Sequence, residues 1–324
     1  MNIDQTLLSN EIHTIMPVIS SCRYCGATAR ISNNPSVYQI LHCNTCELSF
    51  LDVESSELQE YADTVEKEHF GEGFVKNDGT WAKFYDQMNC SRVLETLAPF
   101  QKDSAKLLLE VGIGSGRLLQ KAAASGWQVC GVDLSPELAE NARRLYNVNV
   151  FNGTVEDFAQ DNQNTYDVVV MKHVLEHIPD LKSALTAIKL LLKSDGILHI
   201  QVPNYQSWNA KLSGWTSYQP YHLYYFTRQS LTHVLKDAGF EIIKNTSYEP
   251  ITGWVNTIAH SLKTPAQANS SNASASNTTA SPTGVLRNGA EAVRFLAGVA
   301  LTPLRLIQGS LGKGEELVVQ ARKI

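Results

Sequence analysis

The sequence predicts an α/β protein with a parallel sheet and, ahead of it, a small zinc ribbon. Apolar strand-like runs alternate with helical segments from Lys106 onward, which is typical of βαβ units. The apolar run 107–111 is followed at once by Gly112, Gly114 and Gly116, as in a strand that turns into a helix at a ligand site. Two C-x2-C pairs lie near the N-terminus. These three observations fix the predicted fold class.

Composition restricts the classes of protein. The 324 residues are enough for one large or two modest domains, and 43% hydrophobic with 18% charged residues is typical of a soluble globular protein. A net charge of -5 without a long basic run argues against a dedicated nucleic-acid binder. No stretch approaches the ~20 apolar residues of a membrane span. The N-terminus lacks a signal-peptide pattern, so we expect a cytoplasmic protein.

Residues 21–52 have the cysteine spacing of a zinc ribbon. Cys22 and Cys25 form one C-x2-C pair, and Cys43 and Cys46 form the other. Each pair can aim two thiolates at one metal, and four thiolates complete a tetrahedron. Disulfides and free thiols are the alternatives, although disulfides are rare in the cytoplasm. Because all four positions are cysteines, no coordination position is open to water, and we expect a structural zinc.

The connector and the insertion are distinguished by their composition. Residues 54–67 and 84–100 are predicted helices, with a loop over 68–74 between them. Residues 265–284 are rich in Ser, Asn, Ala and Thr, which predicts a flexible linker. The predicted parts are therefore a disordered lead (1–20), the zinc ribbon (21–52), a helical connector (53–104), the α/β domain (105–249 plus 313–324) and an insertion (250–312).

Residues 285–311 have apolar side chains near helical spacing, with Pro303 as a break. Two interpretations stay open for this amphipathic segment. The first is a helical pair that packs on the protein's own surface or at a dimer contact. The second is peripheral contact with an anionic membrane through Arg287, Arg294 and Arg305.

The α/β domain is read from alternating segments. A Ser135-Pro136 pair predicts a helix start, with the serine as N-cap and the proline at the first helical position. An Asp195-Gly196 turn is expected before the fifth strand. The other predicted strands cover 127–133, 147–151, 166–171, 197–202, 240–245 and 315–321, and the other predicted helices cover 180–192 and 228–238.

Two nucleotide-like cofactors compete for the glycine turn. The dinucleotide fingerprint is G-x-G-x-x-G, and its third glycine would fall on Arg117. The glycines instead follow the pattern G-x-G-x-G, with Glu110 two residues before Gly112. An NAD-dependent oxidoreductase is therefore the less favoured of the two classes, and a non-catalytic binding or scaffold module is a third alternative.

Five features together resemble the class I S-adenosylmethionine (SAM) dependent methyltransferases, whose fold is a Rossmann-like seven-stranded sheet. The resemblance implies SAM as cofactor, with Glu110 near its methionine end and Asp133, at the end of strand two, accepting the ribose hydroxyls. It also implies Leu134 and His173 as cofactor contacts. The five features are the Glu110/Gly112/Gly114/Gly116 loop, Asp133, the adenine-region acids Glu156 and Asp157, the stretch 174–179 and the stretch 193–197.

The resemblance extends to a subfamily with small-molecule or saccharide-linked acceptors. Pro203-Asn204, Trp208, the stretch 220–227 and the stretch 237–240 carry this part of the match. A four-cysteine ribbon also occurs in some members of that wider group, including sugar C-methyltransferases. We therefore expect O- or C-methylation of a small molecule or a saccharide-linked acceptor.

Three histidines are candidates for a catalytic base. His173, His177 and His222 all follow predicted strand ends on the expected ligand face, and Tyr221 precedes His222 in a loop that would roof the pocket. A base is needed only if the acceptor is a hydroxyl or an acidic C–H group. In sugar C-methyltransferases a histidine similar to His222 is the suspected base. The alternative is a structural role in which these rings bond to backbone groups.

The stretch His173–His177 allows one further interpretation. In ubiquinone-pathway O-methyltransferases a comparable E-x-x-E-H stretch binds a divalent metal, but here His173 replaces the first acid. A pocket-shaping role for Glu176 and His177 is therefore favoured over a metal site. Nucleic-acid methylation is disfavoured, because neither an Asn-Pro-Pro-Tyr motif nor a Pro-Cys nucleophile is present.

Overall fold

The computed structural model describes residues 20–36, 38–52, 80–101, 106–219, 221–262 and 284–324. Four sequence-based predictions fall outside the described residues wholly or almost wholly. They are the lead over 1–20, the helix over 54–67, the loop over 68–74 and the linker over 265–284.

The cysteine-bearing segment forms a small antiparallel sheet that includes a strand from much later in the chain. Its five strands are β1 (Ser20–Ser21), β2 (Thr28–Ile31), β3 (Ile40–Cys43), β4 (Ser49–Leu51) and β10 (Tyr224–Tyr225). In space the order is β1-β2-β3-β4-β10, with each neighbouring pair antiparallel. The ribbon is therefore joined to the α/β domain through the edge strand β10.

Seven of the described strands form the central sheet, which agrees with the fold class expected from the sequence. They are β5 (Leu107–Val111), β6 (Gln128–Asp133), β7 (Asn149–Asn152), β8 (Tyr166–Lys172), β9 (Leu192–Pro203), β11 (Phe240–Tyr248) and β12 (Glu316–Lys323). The strand order is β11-β12-β9-β8-β5-β6-β7.

The described helices alternate with these strands as expected for βαβ units. Ser135 Oγ accepts a hydrogen bond from the backbone of Leu138, which confirms the predicted cap ahead of Pro136. The helices are α1 (Thr80–Leu97), α2 (Arg117–Ala124), α3 (Pro136–Tyr146), α4 (Val155–Asp161), α5 (Leu181–Leu191), α6 (Arg228–Asp237), α7 (Gly253–Ser261), α8 (Gly284–Ala300) and α9 (Thr302–Ser310).

Strand β8 shows why the middle of a central strand is apolar. Val168 and Val170 belong to the buried cluster that includes residues of α1, α2 and α3, whereas Val169 and Met171 belong to the cluster that includes residues of α4, α5, α6 and the small sheet. All four side chains are fully buried. Because successive side chains alternate between the two faces and both faces are covered, these four positions favour apolar residues.

Two strands differ from the sequence-based expectation of a parallel sheet with a fifth strand starting at residue 197. β12 runs antiparallel to both β9 and β11. It starts with Glu316 opposite Pro203, the last residue of β9, and reaches Arg322 opposite Ile197, so the two strands run in opposite directions. β9 begins already at Leu192, and the predicted turn becomes a register irregularity in which Asp195 takes a left-handed φ of 62°.

Helices α8 and α9 replace the single amphipathic segment predicted over 285–311. Helix α8 ends at Ala300 and α9 begins at Thr302, with Leu301 as its N-cap, so the helix is interrupted just before Pro303 as expected. The pair packs on the domain itself, because Arg305 donates hydrogen bonds to the carbonyl oxygens of Glu249 and Pro250. Its outer face exposes apolar side chains, among them Val293, Leu296, Leu306 and Ile307. None of the described helices is both long and apolar enough to cross a bilayer.

Candidate active site

The glycine turn has the backbone geometry that its sequence predicts. Gly112, Gly114 and Gly116 have φ values of 71°, 50° and 71°, in the left-handed region where glycine is favoured. A Cβ on Gly112 would collide with the side chain of Val174 from the loop after β8. The turn therefore needs glycine both for its conformation and for the close approach of that loop.

Asp133 lies at the end of β6 and faces this turn. Its Oδ2 accepts a hydrogen bond from the backbone N–H of Ile113 at 2.8 Å, and its Oδ1 accepts one from Ser135 at 2.9 Å. Burial raises the pKa of Asp133, and these backbone hydrogen bonds only partly oppose that shift. The following residue, Leu134, keeps 59% of its surface exposed. A fixed carboxylate and an exposed apolar side chain are therefore neighbours at the carboxyl end of β6.

Ligands of parallel sheets bind in the crevice outside the carboxyl ends of the strands, and Glu110 lies at that end of β5, two residues before Gly112. It is 2% exposed, and its Oε2 has no hydrogen-bond partner among the described residues. Burial raises the pKa of Glu110 to about 8, although the nearby Lys172 opposes this shift. An unpaired buried carboxyl oxygen is unfavourable without a partner, so this position fits a polar group of a bound ligand.

A charged cluster from α1 lies beside Glu110. Asp86 accepts a hydrogen bond from Ser115 at 2.7 Å and forms ion pairs with Arg117 at 3.1 Å and Lys172 at 3.6 Å. Burial would raise the pKa of Asp86, but Ser115 and the two cations hold it below its usual value. The end of the crevice away from Asp133 is therefore strongly polar and contains both signs of charge.

His177 and His222 come together from different loops. Their ring centroids are 4.9 Å apart, and each ring is fixed by a backbone carbonyl. His177 Nδ1 lies 2.9 Å from the carbonyl oxygen of Tyr221, and His222 Nδ1 lies 2.8 Å from that of Ser217. Because a carbonyl oxygen can only accept, the Nδ1 of each ring carries a proton.

Glu176 completes this cluster. Its side chain is fully buried, and neither oxygen has a hydrogen-bond partner in the described part of the chain. One donor atom each from Glu176, His177 and His222 lies within 4.8 Å of the others. Burial would raise the pKa of Glu176, but the surrounding histidines hold it below its usual value, so the carboxylate is ionised. Burial also lowers the pKa of His222, to about 3, and keeps that ring neutral.

His173 has a separate environment. It adopts a φ of 55°, which is uncommon for a residue with a side chain. Its Nε2 lies 3.5 Å from Glu316 Oε2 and its Nδ1 lies 3.4 Å from Glu176 Oε1. Burial alone would lower the pKa of His173, but the charges of Glu316 and Glu176 raise it above its usual value. His173 therefore bridges two carboxylates and is not part of the His177–His222 pair.

The predicted adenine contacts begin helix α4. Thr154 caps this helix, and its hydroxyl donates a hydrogen bond to Asp157 Oδ2 at 2.7 Å. Glu156 lines a surface cleft between α4 and α5 together with Asp180 and Lys182. Asp157 therefore takes part in the cap of α4, and Glu156 lies in the wall of the cleft. The contact of these two acids with adenine stays a prediction.

The four ribbon cysteines converge on one point. Cys22 Sγ lies 3.6 Å from Cys46 Sγ, and Cys25 Sγ lies 3.5 Å from Cys43 Sγ. All four donor atoms lie within 4.8 Å of one another and none is in a disulfide. A tetrahedron with metal–sulfur bonds of about 2.3 Å places sulfurs about 3.8 Å apart. The arrangement is close to the one that zinc requires.

Several site residues were not identified from the sequence. Asp86 lies inside α1, and Glu316 begins β12, far in sequence from the glycine turn. Lys172 could have been noted, because it ends β8 directly before His173. The others carry no local signal, since only the packing of α1 and β12 brings them to the crevice.

The fold and the site define an α/β protein with a nucleotide-cofactor crevice at the carboxyl ends of its strands. Residues 81–245, just over half of the chain, match the family described as Methyltransferase domain. The chain belongs to this methyltransferase family. The dinucleotide alternative receives no support from this match.

The curated relatives agree with this assignment. The chain is 35% identical over 115 residues to a ubiquinone biosynthesis O-methyltransferase of Vibrio atlanticus, covering 34% of this chain and 48% of that protein. It is 28% identical to the enzyme of the same name from Acinetobacter baylyi, covering 58% of this chain and 94% of that one. The chain thus spans about half the length of the Vibrio relative.

A solved structure agrees on the fold. It is a phosphoethanolamine N-methyltransferase 2 from Haemonchus contortus in complex with S-adenosyl-L-methionine, with a TM-score of 0.51 and 16% identity. The match covers 81% of this chain and 60% of that one. At this identity the likeness shows the fold alone.

Proposed function

We propose that the protein transfers a methyl group from SAM to a small-molecule acceptor. The observation that carries this proposal is the Asp133 carboxylate, held at the end of β6 against the glycine turn of a methyltransferase-family chain. Each oxygen of Asp133 accepts one backbone hydrogen bond and has a further lone pair, which suits the two ribose hydroxyls. Leu134 offers an apolar surface for the adenine.

The opposite end of the crevice fits the amino-acid portion of SAM. That portion carries an ammonium and a carboxylate group. Glu110 Oε2 is an acceptor without a partner among the described residues and suits the ammonium, while Lys172 and Arg117 provide positive charge nearby. Gly112, Gly114 and Gly116 leave room between the two ends. When bound, SAM supplies the electrophilic methyl group.

Proton removal from the acceptor is assigned to His222. Its Nδ1–H is held by the carbonyl oxygen of Ser217, so Nε2 is the atom that accepts the proton. The negative charge of the buried Glu176 carboxylate favours the imidazolium that forms, because it raises the pKa of His222 against the burial that holds this pKa at about 3. His177, whose Nδ1 is held by the carbonyl oxygen of Tyr221, packs against the ring of His222 and helps to orient it. The alignment of acceptor and methyl group supplies most of the rate enhancement.

We propose a hydroxyl oxygen as the acceptor atom. The matched relatives are named ubiquinone biosynthesis O-methyltransferases, and a base beside the crevice is what an oxygen acceptor needs. The second candidate is an acidic C–H group of a saccharide-linked acceptor, because methylation of that carbon also needs a base to remove the proton. The test is transfer of label from methyl-labelled SAM to phenolic quinone precursors and, separately, to nucleotide sugars. Binding of NAD without binding of SAM would overturn the proposal.

A structural zinc is proposed for the ribbon. The support is the convergence of Cys22, Cys25, Cys43 and Cys46, with three of these side chains buried and their sulfurs near tetrahedral spacing. Four thiolates leave no place for water, so this zinc takes no part in methyl transfer. Elemental analysis of freshly purified, reduced protein should find about one zinc per chain.

We propose that the outer face of α8 and α9 contacts a second protein molecule, as at a dimer interface. The pair is anchored inward by Arg305, while Leu296 and Leu306 are 65% and 69% exposed. Arg294 pairs with Glu291 at 2.6 Å, which reduces the basic character that an anionic membrane would attract. Sedimentation with anionic liposomes tests the membrane alternative. Protein that pellets with liposomes at low salt, and stays in solution after deletion of 265–311, would overturn the protein-contact proposal.

A further inference from the structure

A second cavity lies away from the glycine turn, on the face of the sheet that α1 covers. Its volume is about 710 Å³, and it is bounded by α1, α9 and the strands β9 and β11. His199, Asn245, Tyr248, Arg92 and Arg228 line it. Neither the glycine turn nor the cluster of Glu176, His177 and His222 borders this cavity, and methyl transfer as proposed above does not use it.

The wall of the cavity contains polar atoms without partners. His199 is 1% exposed, and neither of its ring nitrogens has a hydrogen-bond partner among the described residues. Burial lowers the pKa of His199 to about 4, so the neutral ring offers one donor and one acceptor. The buried Oδ1 of Asn245 is also unpaired within the described chain. Buried polar atoms normally have partners, so these atoms indicate a polar occupant.

The charge of the cavity wall is positive. The guanidinium of Arg92 lies over the ring of Tyr248, 4.0 Å from its centroid. The guanidinium of Arg228 lies against Gly312. A third arginine of the wall, Arg305, donates to the carbonyl oxygens of Glu249 and Pro250. The carboxyl group at the wall is Glu249, and burial, reinforced by the charge of Glu315, raises its pKa to about 8, although hydrogen bonds from Asn209 and the backbone of Glu315 oppose this shift. The three arginines therefore outnumber this one carboxyl group. The occupant should therefore be an anion.

We propose that this cavity binds a small anion whose carboxylate or phosphate group contacts Arg92 and Arg228. Hydroxyl or amide groups of the same ligand would complete the hydrogen bonding of His199 and Asn245. Guanidinium groups bind both kinds of anion through paired N–H groups, so the shared chemistry is a planar or tetrahedral oxyanion. The site is independent of the SAM crevice and does not rest on the proposed methyl transfer.

A chain of side chains connects this anion site to the candidate active site. Gln201 Nε2 donates to Tyr248 Oη at 2.6 Å and lies 3.5 Å from Glu316 Oε2. The same Glu316 oxygen lies 3.5 Å from His173 Nε2. The wall of the anion site is therefore connected to His173 through Tyr248, Gln201 and Glu316.

Nuclear magnetic resonance of the full-length protein tests the site. The ¹⁵N resonances of the His199 ring are identified by their loss in His199→Phe, and inorganic phosphate or malonate is then added at constant ionic strength. We expect a saturable shift of the His199 resonances with at least one of the two anions. Arg92→Gln and Arg228→Gln should each weaken it about 10- to 100-fold, as expected for loss of a charged hydrogen bond.

The control is Arg144→Gln, since Arg144 is exposed on α3 and bonds to Asn141. It should leave the titration unchanged, and retained SAM binding should show that each variant is folded. If neither anion moves the His199 resonances, the proposal is wrong. If both arginine variants respond like the parent protein, the probe is an adventitious ion only, and the proposal is equally overturned.

Discussion

The backbone N–H of Leu51 donates a hydrogen bond to the carbonyl oxygen of Leu223, with 3.0 Å between nitrogen and oxygen. Leu51 ends β4, the strand that follows Cys46, and Leu223 directly follows His222. The N–H of Leu223 in turn donates to the carbonyl oxygen of Glu176 at 2.9 Å. The pairing of β10 with β4 continues this connection. The ribbon therefore holds the loop that carries the proposed base.

The first prediction follows from this connection. Cys43→Ser should lose the zinc and loosen the β4–β10 pairing, so that turnover falls while SAM affinity changes little. Elemental analysis, calorimetry with SAM and labelled-methyl turnover measure the three quantities. The control is Cys130→Ala, because Cys130 lies on β6 outside the cluster. An equal loss of SAM affinity and turnover would contradict a role of the ribbon in positioning His222.

The second prediction concerns Asp133. Asp133→Ala removes two charge-assisted hydrogen bonds to ribose and should weaken SAM binding by roughly 10- to 100-fold or more. Asp133→Asn, which keeps one oxygen for the backbone of Ile113, should weaken it less. Asp161→Ala, on an exposed residue at the end of α4, is the control. Unchanged affinity by calorimetry in Asp133→Ala would remove the cofactor assignment.

The third prediction concerns His222. His222→Ala should lower turnover ~10²–10⁴-fold, the usual contribution of a general base, with SAM affinity little changed. His233→Ala, on an exposed position of α6, should leave turnover unchanged. Near-normal turnover in His222→Ala would leave this ring as a structural residue. Activity that disappears on chelation and returns with Mg²⁺ would instead assign the cluster to a cation.

The fourth prediction is a pH dependence that arises from Glu110. Its pKa is about 8 in the folded protein and 4.5 in the reference state. Because the folded pKa is raised, its contribution to stability is fully present below about pH 4.5 and is lost as pH rises through 8. Without SAM, Glu110→Gln should gain up to ~4 kcal/mol relative to the parent protein between pH 5 and pH 9.

Urea unfolding of both proteins across this pH range measures the difference in the free energy of unfolding. Any constant effect of the new amide cancels, since only its change with pH is read. Glu241→Gln, at an exposed position on β11, is the control and should show no such trend. A difference that stays flat from pH 5 to pH 9 would show that Glu110 ionises normally in the folded protein.

The sequence alone was sufficient to predict those features that a short local pattern of residues determines. The glycine turn was predicted because left-handed backbone at three alternate positions, 112, 114 and 116, favours glycine. The cysteine cluster was predicted because its spacing reflects two tight turns around one point. Ser135 and Pro136 were identified as a helix start for the same reason, since a cap involves only neighbouring residues.

Only the tertiary structure determined the arrangements that depend on distant segments. Asp86 reaches the crevice because α1 packs across the sheet, and Glu316 reaches His173 because β12 enters between β9 and β11 in the reverse direction. The pairing of Leu51 with Leu223 likewise joins parts of the chain that share no local pattern. Local sequence records the conformation of a turn or a cap, whereas these contacts arise from packing between whole elements.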